Sequence, residues 1–303
     1  EVAFDYKLSD EERVLFLKNL RTCFVEYAFK ASKSVLRQMP YMRFLSSGMR
    51  DGKRASEALC KHCKTMLEAY RTKVANDPSA RQPHKLIDML MNDTEYANEE
   101  ERVRDMLTYV IAGFDTTANT ISFALLELGR SPEEQRKLRE ALQKKYKTEE
   151  ETRTSPELKH VVREILRLRP AAIASIRLLG SDIKVQVKDE NDQAQSITLP
   201  SGSATMTSYF TLQRDAKVFE KPDAFMPSRW ENPSDDMNKS VLTFSLGKRN
   251  CQGQALAYAE MTEILLKLCR DYEINVVNEG RAVNLVLYKP EDAVLSFTKA
   301  STL

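Results

Sequence analysis

The sequence predicts a mainly α-helical fold with small β-sheets. Three observations carry this expectation. Apolar residues recur at helical spacing through most of the first two thirds of the chain. Two segments, Ser131-Pro132-Glu133-Glu134 and Ser155-Pro156-Glu157, place Ser at the cap, Pro at the first helical position and acid in the first turn. Alternation at strand period occurs only in short runs, all of them after Pro170.

The elements follow in order. Ser9-Asp10-Glu11-Glu12 is a capping box ahead of an apolar-periodic run through Leu36, which Pro40 ends. A second helical run covers about Ser56 to Val74 and stops before Asn76-Asp77-Pro78. A short helix is expected around Lys85 to Met91. Asn98 to Arg130 contains no Pro and repeats Val103, Leu107, Val110, Ile111 and Phe114 on one helical face. The helix that opens at Ser155 runs to Arg169 and meets Pro170. Strands are expected at Ile183–Val187 and Ala204–Phe210, with Asp189 to Gln195 as a polar connector. Asp215 to Asn250 is irregular, and a stretch that long inside a domain is usually functional or disordered. Gln252 to Tyr272 returns to helix, followed by short strands near Ile274–Val277, Ala282–Leu287 and Val294–Thr298.

Composition limits the function classes. The 303 residues are 42% hydrophobic and 30% charged, which is globular composition with enough apolar surface for a sizeable core. A net charge of +2 gives no general reason to expect a nucleic-acid partner. Cys23, Cys60, Cys63, Cys251 and Cys269 are too few and odd in number for a disulfide framework, which favours a reducing compartment. No apolar stretch approaches the ~18 residues a membrane span needs. The start, Glu1-Val2-Ala3-Phe4, lacks an initiator Met and a signal pattern, and reads as a chain that begins in mid-domain.

The sharpest chemical segment is Phe244-Ser245-Leu246-Gly247-Lys248-Arg249-Asn250-Cys251-Gln252-Gly253. A single Cys follows a glycine turn and precedes a helix, whose N-terminal N–H groups favour thiolate over thiol. Gly247 and Gly253 permit close approach to a flat partner, and Arg249 supplies a cation for a carboxylate. Taken alone, such a cysteine could be a nucleophile, a metal ligand or a buried core thiol.

As a whole the segment resembles the heme-binding loop of the cytochrome P-450 family: Phe244, then Gly247, Arg249, Cys251 and Gly253 at that family's spacing. The resemblance implies heme b as cofactor and Cys251 as its axial sulfur ligand. It places Phe244 against that ligand and Arg249 on a heme propionate. Two further segments fit. Glu164-Ile165-Leu166-Arg167, otherwise a surface i, i+3 pair, resembles the family's Glu-x-x-Arg motif. Arg229 in Phe225-Met226-Pro227-Ser228-Arg229-Trp230 is then the third member of a buried, structural triad, with Trp230 as packing. Ala112-Gly113-Phe114-Asp115-Thr116-Thr117 is similar to the segment that faces heme on the oxygen side. There Ala112 and Gly113 leave space for O2, while Thr116 and Asp115 deliver protons. Arg177 is implied as a second propionate partner.

The resemblance covers essentially all of 1–303 as one partial domain, the C-terminal portion of the family fold with the N-terminal region missing. That fold holds heme between the Gly113–Thr117 helix and the Cys251 loop. The implied activity is a monooxygenase that inserts one atom of O2 into a lipophilic substrate. Electrons come from a separate reductase, NADPH-dependent in many such systems, with Lys248, Lys267 and Arg270 as local basic contacts. Rival readings are a heme-free remnant and a heme-thiolate enzyme that rearranges peroxides; the intact Asp115–Thr116 pair argues against the latter. Localisation is left open between a cytosol-facing domain on the endoplasmic reticulum and a soluble bacterial protein. Cys60-Lys61-His62-Cys63 lacks a second ligand pair at zinc spacing and is read as helix packing. Met39, Met42 and Met49 are read as core or substrate-facing packing. Lys144-Lys145 and Glu149-Glu150-Glu151 are read as solvated faces.

Overall fold

Several helix starts in this chain are set by side chains that accept hydrogen bonds from the first turn. In the computed structural model, which describes residues 4, 6–26, 46–188, 193–284 and 287–301, Ser9 Oγ accepts from Glu12 N at 3.2 Å and Glu12 Oε2 accepts from Ser9 N at 2.8 Å. This reciprocal box opens helix α1 (Asp10–Cys23) as expected. The continuation to Leu36 and the stop at Pro40, with Met39 and Met42, lie outside the described residues.

Helix α2 (Ser47–Asn76) begins well before the expected Ser56. Ser46 caps it by accepting from Met49 N at 3.4 Å. Gly48 and Gly52 hide the helical period in the sequence because they carry no side chain. At Gly48 a Cβ would lie 2.3 Å from Glu26 Oε2, the movable end of a flexible side chain. Helix α3 (Leu86–Asn92) and the long helix α4 (Glu99–Arg130) follow. The chain forms two compact units, Glu1–Asp115 and Thr116–Leu303.

The first unit packs around a helical ladder on α2. Leu59, Cys63, Leu67 and Tyr70 recur at i+3 and i+4 and meet Leu20, Ile87, Leu90, Val103 and Met106. Met49 is buried too. Tyr70 donates its hydroxyl to Asp88 Oδ1 at 3.0 Å, and Arg81 Nε pairs with the same oxygen at 3.0 Å. These contacts, Arg81 foremost, hold the Asp88 carboxyl below the usual carboxylate range.

The second unit takes the later turns of α4, then α5 (Pro132–Glu140), a π turn at Ala141–Lys145, α6 (Glu149–Arg153) and α7 (Pro156–Leu168). Ser131 and Ser155 occupy the cap positions as expected, but neither side chain makes a cap hydrogen bond. Ser155 Oγ is buried without a partner. The acidic run Glu149–Glu151 forms the first turn of α6, where Glu151 closes a capping box with Thr148. Lys145, read as solvated, pairs with Glu157 at 2.6 Å. The last long helix, α10 (Gln254–Asp271), follows α8 (Tyr209–Leu212) and α9 (Asp235–Ser240). Leu158, Val161, Val162 and Ile165 of α7 form a stripe against Ile121, Ala124 and Leu128 of α4 and Met261, Leu265 and Cys269 of α10.

The sheets are small and antiparallel, each of two strands: β1 (Ala174–Leu178) with β4 (Ala204–Ser208), β2 (Ile183–Lys188) with β3 (Ala194–Leu199), β5 (Tyr272–Asn278) with β8 (Val294–Lys299), and β6 (Arg281–Asn284) with β7 (Tyr288–Glu291). The strand expected to reach Phe210 stops at Ser208. There Ser208 Oγ accepts from Thr211 N and starts α8. The polar connector ends earlier than expected, because Ala194 and Gln195 already pair with Lys188 and Val187. Gln135 ties α5 to β5: its amide donates to Ile274 O at 3.0 Å and accepts from Ile274 N at 2.8 Å.

Candidate functional site

The cysteine loop is shaped by two residues with left-handed backbone. Ser245 has φ 60° and Gly247 φ 73°, and the first is costly for a residue with a Cβ. Ser245 N donates to Leu242 O at 2.7 Å, which closes a tight entry turn. Cys251 N donates to Phe244 O at 2.8 Å and closes the loop on itself. A 3₁₀ turn spans Gly247–Arg249. Helix α10 begins at Gln254 with Gly253 as cap, two residues later than expected. A Cβ on Gly253 would lie 3.9 Å from Cys251 Sγ, so this glycine sits directly beside the sulfur. Phe244 packs against the core and Tyr258, ring centroids 5.3 Å apart.

Cys251 is exposed, whereas Cys63 and Cys269 are buried and Cys23 and Cys60 half-buried. Leu246 of the same loop is 71% exposed, and Leu256 in the first turn of α10 is 39% exposed. Arg177 of β1 reaches the same loop, with Nη2 at 3.4 Å from Ser245 Oγ. Arg249 is exposed.

Behind the loop, Glu164 and Arg167 of α7 are fully buried. Arg167 Nε donates to Glu164 Oε2 at 2.9 Å and Nη2 to Oε1 at 2.8 Å. Arg229 Nε joins at 3.0 Å from Oε1, and Met226 N donates to the same oxygen at 3.0 Å. Other guanidinium N–H groups go to backbone carbonyls: Arg167, all of whose N–H groups are used, to Gln213, Pro222 and Ala224, and Arg229 to Glu220 and Lys221. A buried ion pair is tolerated when its donors and acceptors are paired in this way.

The sequence model for the family described as Cytochrome P-450 matches residues 2–296. The chain belongs to the cytochrome P-450 family. Cytochrome P-450 52-M1 of Starmerella bombicola is 31% identical over 264 residues, covering 82% of this chain and 48% of that protein. Cytochrome P-450 4d8 of Drosophila melanogaster is 33% identical, covering 65% of this chain and 44% of that protein. The mitochondrial sterol 26-hydroxylase of Rattus norvegicus is 27% identical, covering 66% and 39%. The chain therefore spans about half the length of these curated relatives, or less. The mainly α architecture with small antiparallel sheets is that of the family.

A P-450 heme needs an accessible sulfur, apolar surface against its ring and cations for its carboxylates. Cys251, Leu246 with Leu256, and Arg177 with Arg249 match those needs in kind. On α4, helix continues unbroken through Ala112–Thr117. Ala112 and Gly113 are exposed, Asp115 and Thr116 half-buried and Thr117 buried. A Cβ on Gly113 would meet nothing within 4 Å. Phe114, on the expected core face, is 44% exposed instead.

One role differs from expectation. Trp230, read as packing, donates its indole N–H to Glu164 Oε2 at 2.9 Å and is a working part of the cluster. Arg163 stacks over the same indole at 4.1 Å, and burial lowers the Arg163 pKa. Lys267 and Arg270, expected as basic contacts for a partner, are ion-paired to Glu263 at 2.9 Å and Asp271 at 2.8 Å. Cys60-Lys61-His62-Cys63 lies inside α2, and no three His, Cys, Asp or Glu converge there or elsewhere among the described residues. No helix among them is long and apolar enough to cross a membrane.

Proposed function

We propose that this chain is the heme-thiolate portion of a monooxygenase that inserts one oxygen atom of O2 into a lipophilic organic substrate, the other leaving as water. The observation that carries the reading is the exposed Cys251 thiol beside Gly253, on a loop that Arg177 also contacts. Family membership and a relative named for hydroxylating a sterol support the reaction class and the lipophilic substrate.

In this reading bound heme b supplies the oxygen-activating redox chemistry, with electrons from a separate reductase. The residues of the chain do the rest. Cys251 would give heme its sulfur ligand, held by the left-handed turn at Ser245 and Gly247. Arg177 and Arg249 would hold its propionates. Gly253 lets backbone N–H groups approach the sulfur and adjust its electron donation. Phe244 backs the loop from the core. By the family resemblance, Ala112 and Gly113 would leave room for O2, and Asp115 and Thr116 would serve proton delivery. Glu164, Arg167 and Arg229 hold the irregular segment in register and touch no reactant.

The test is the absorption spectrum of the dithionite-reduced, heme-loaded protein under carbon monoxide, beside Cys251→Ala. A strongly red-shifted Soret band that the mutant loses supports thiolate ligation by Cys251. A histidine-like spectrum unchanged in the mutant overturns it.

A further inference from the structure

Gln213 lies between α8 and the irregular segment, is fully buried and uses every hydrogen-bonding position of its amide. Nε2 donates to Leu166 O at 3.1 Å and to Arg167 O at 2.8 Å, two of the last carbonyls of α7 that lack an intrahelical partner. Oε1 accepts from Leu242 N at 2.9 Å and from Thr243 Oγ1 at 3.0 Å. Thr243 Oγ1 also lies 2.7 Å from Leu166 O, so its single proton is shared between the two acceptors. The backbone carbonyl of Gln213 accepts from Arg167 Nη1 at 2.9 Å.

These bonds connect two places already described. One end is the buried Glu164–Arg167 cluster. The other is the entry of the cysteine loop, since Leu242 O receives Ser245 N and Phe244 O receives Cys251 N. A strained, exposed loop keeps one shape only if its base is over-determined. Gln213 supplies that base with a neutral amide, whose donor and acceptor halves face opposite partners.

We propose that Gln213, with Thr243, is the positioning residue that transmits the rigidity of the α7 cluster to the Cys251 loop and so fixes the direction of the thiolate. The inference rests on the heme-thiolate reading for its functional meaning, but not for its structural one. Gln213 touches no reactant and acts only through Leu242–Phe244.

The test uses amide hydrogen exchange of the purified protein, without heme, for Gln213→Met, Gln213→Glu and Thr243→Val. Met keeps the volume and removes every side-chain hydrogen bond. Glu keeps the acceptor toward Leu242 and Thr243 and loses the donor toward α7. In Gln213→Met, exchange at Leu242–Cys251 is expected to rise ~tenfold or more, with Glu intermediate and the amides of Leu158–Ile165 unchanged. Thr243→Val is expected to raise loop exchange less than Met does. The same order is expected in the fraction of heme-loaded protein that shows the thiolate spectrum. Loop exchange equal to wild type in both Met and Thr243→Val overturns the proposal, as does a rise spread evenly over the whole unit. If heme ligation by Cys251 failed, the exchange order would still stand, so the two readings fail separately.

Discussion

Trp230 Nε1 lies 2.9 Å from Glu164 Oε2, so the buried carboxylate is held by an indole as well as by two guanidinium groups. Oε1 already accepts from Arg167, Arg229 and Met226 N. Among the described residues, Oε2 accepts from Arg167 and Trp230.

The indole proton therefore has a measurable share in stability. Trp230→Phe keeps a ring beneath Arg163 and beside Phe219 but deletes the donor. Denaturant unfolding is expected to show a loss of about 1.5–3 kcal/mol, the range for a bond to a charged group. Arg229→Ala, which breaks a buried ion pair, is expected to lose more, ~3–5 kcal/mol. Equal losses would mean that the indole bond is as strong as the ion pair.

Thiol chemistry should single out the loop. Burial pushes the thiols of Cys63 and Cys269 up to about 12, so neither supplies thiolate at neutral pH. In protein without heme, iodoacetamide followed by peptide mass mapping is expected to label Cys251 first and Cys269 only on unfolding. The raised pKa also has a stability consequence. The contribution is fully present below the ordinary thiol pKa of 9.0 and is lost as pH climbs from there toward about 12, because the unfolded thiol ionises first. Melting temperature is expected to fall across that alkaline window.

Two glycines with positive φ make a controlled pair. At Gly280, φ 60°, a Cβ would lie 2.2 Å from Glu291 O, a backbone atom that cannot swing aside. Gly280→Ala is expected to cost about 2–6 kcal/mol, backbone strain plus overpacking. At Gly202, φ 82°, nothing lies within 4 Å, and Gly202→Ala is expected to cost only ~1–2 kcal/mol. Thermal unfolding of the two variants separates steric from conformational cost.

On the proposed function, Thr116→Ala leaves the thiolate spectrum intact but reduces product formed per electron pair consumed. Loss of a positioned proton donor is worth ~10²-fold or more in the coupled step. Product yield against reductant consumed is the measurement, and full coupling in the mutant would remove Thr116 from its role.

Much of the fold was legible because helix starts are local. Ser9 and Glu12 meet across three residues, and Pro132 and Pro156 announce helices from within their own first turns. Boundaries failed where the deciding contact was distant or carried no side chain. The early start of α2 is hidden because Gly48 and Gly52 carry no side chain to show the period, and the end of β4 depends on a hydroxyl turned toward the next helix.

By itself, the sequence determined the spacing of the cysteine loop, the Glu164–Arg167 pair on one helical face and the family, since these are patterns within a few residues or a few adjacent turns. Only the tertiary structure decided that Trp230 is a donor to Glu164 and that Gln213 joins α7 to the loop. The physical reason lies in the partners. Arg167 and Gln213 bond mainly to backbone carbonyls and amides, including some more than forty positions away. Every residue has such groups, so nothing in the side-chain alphabet marks which of them the fold will bring near.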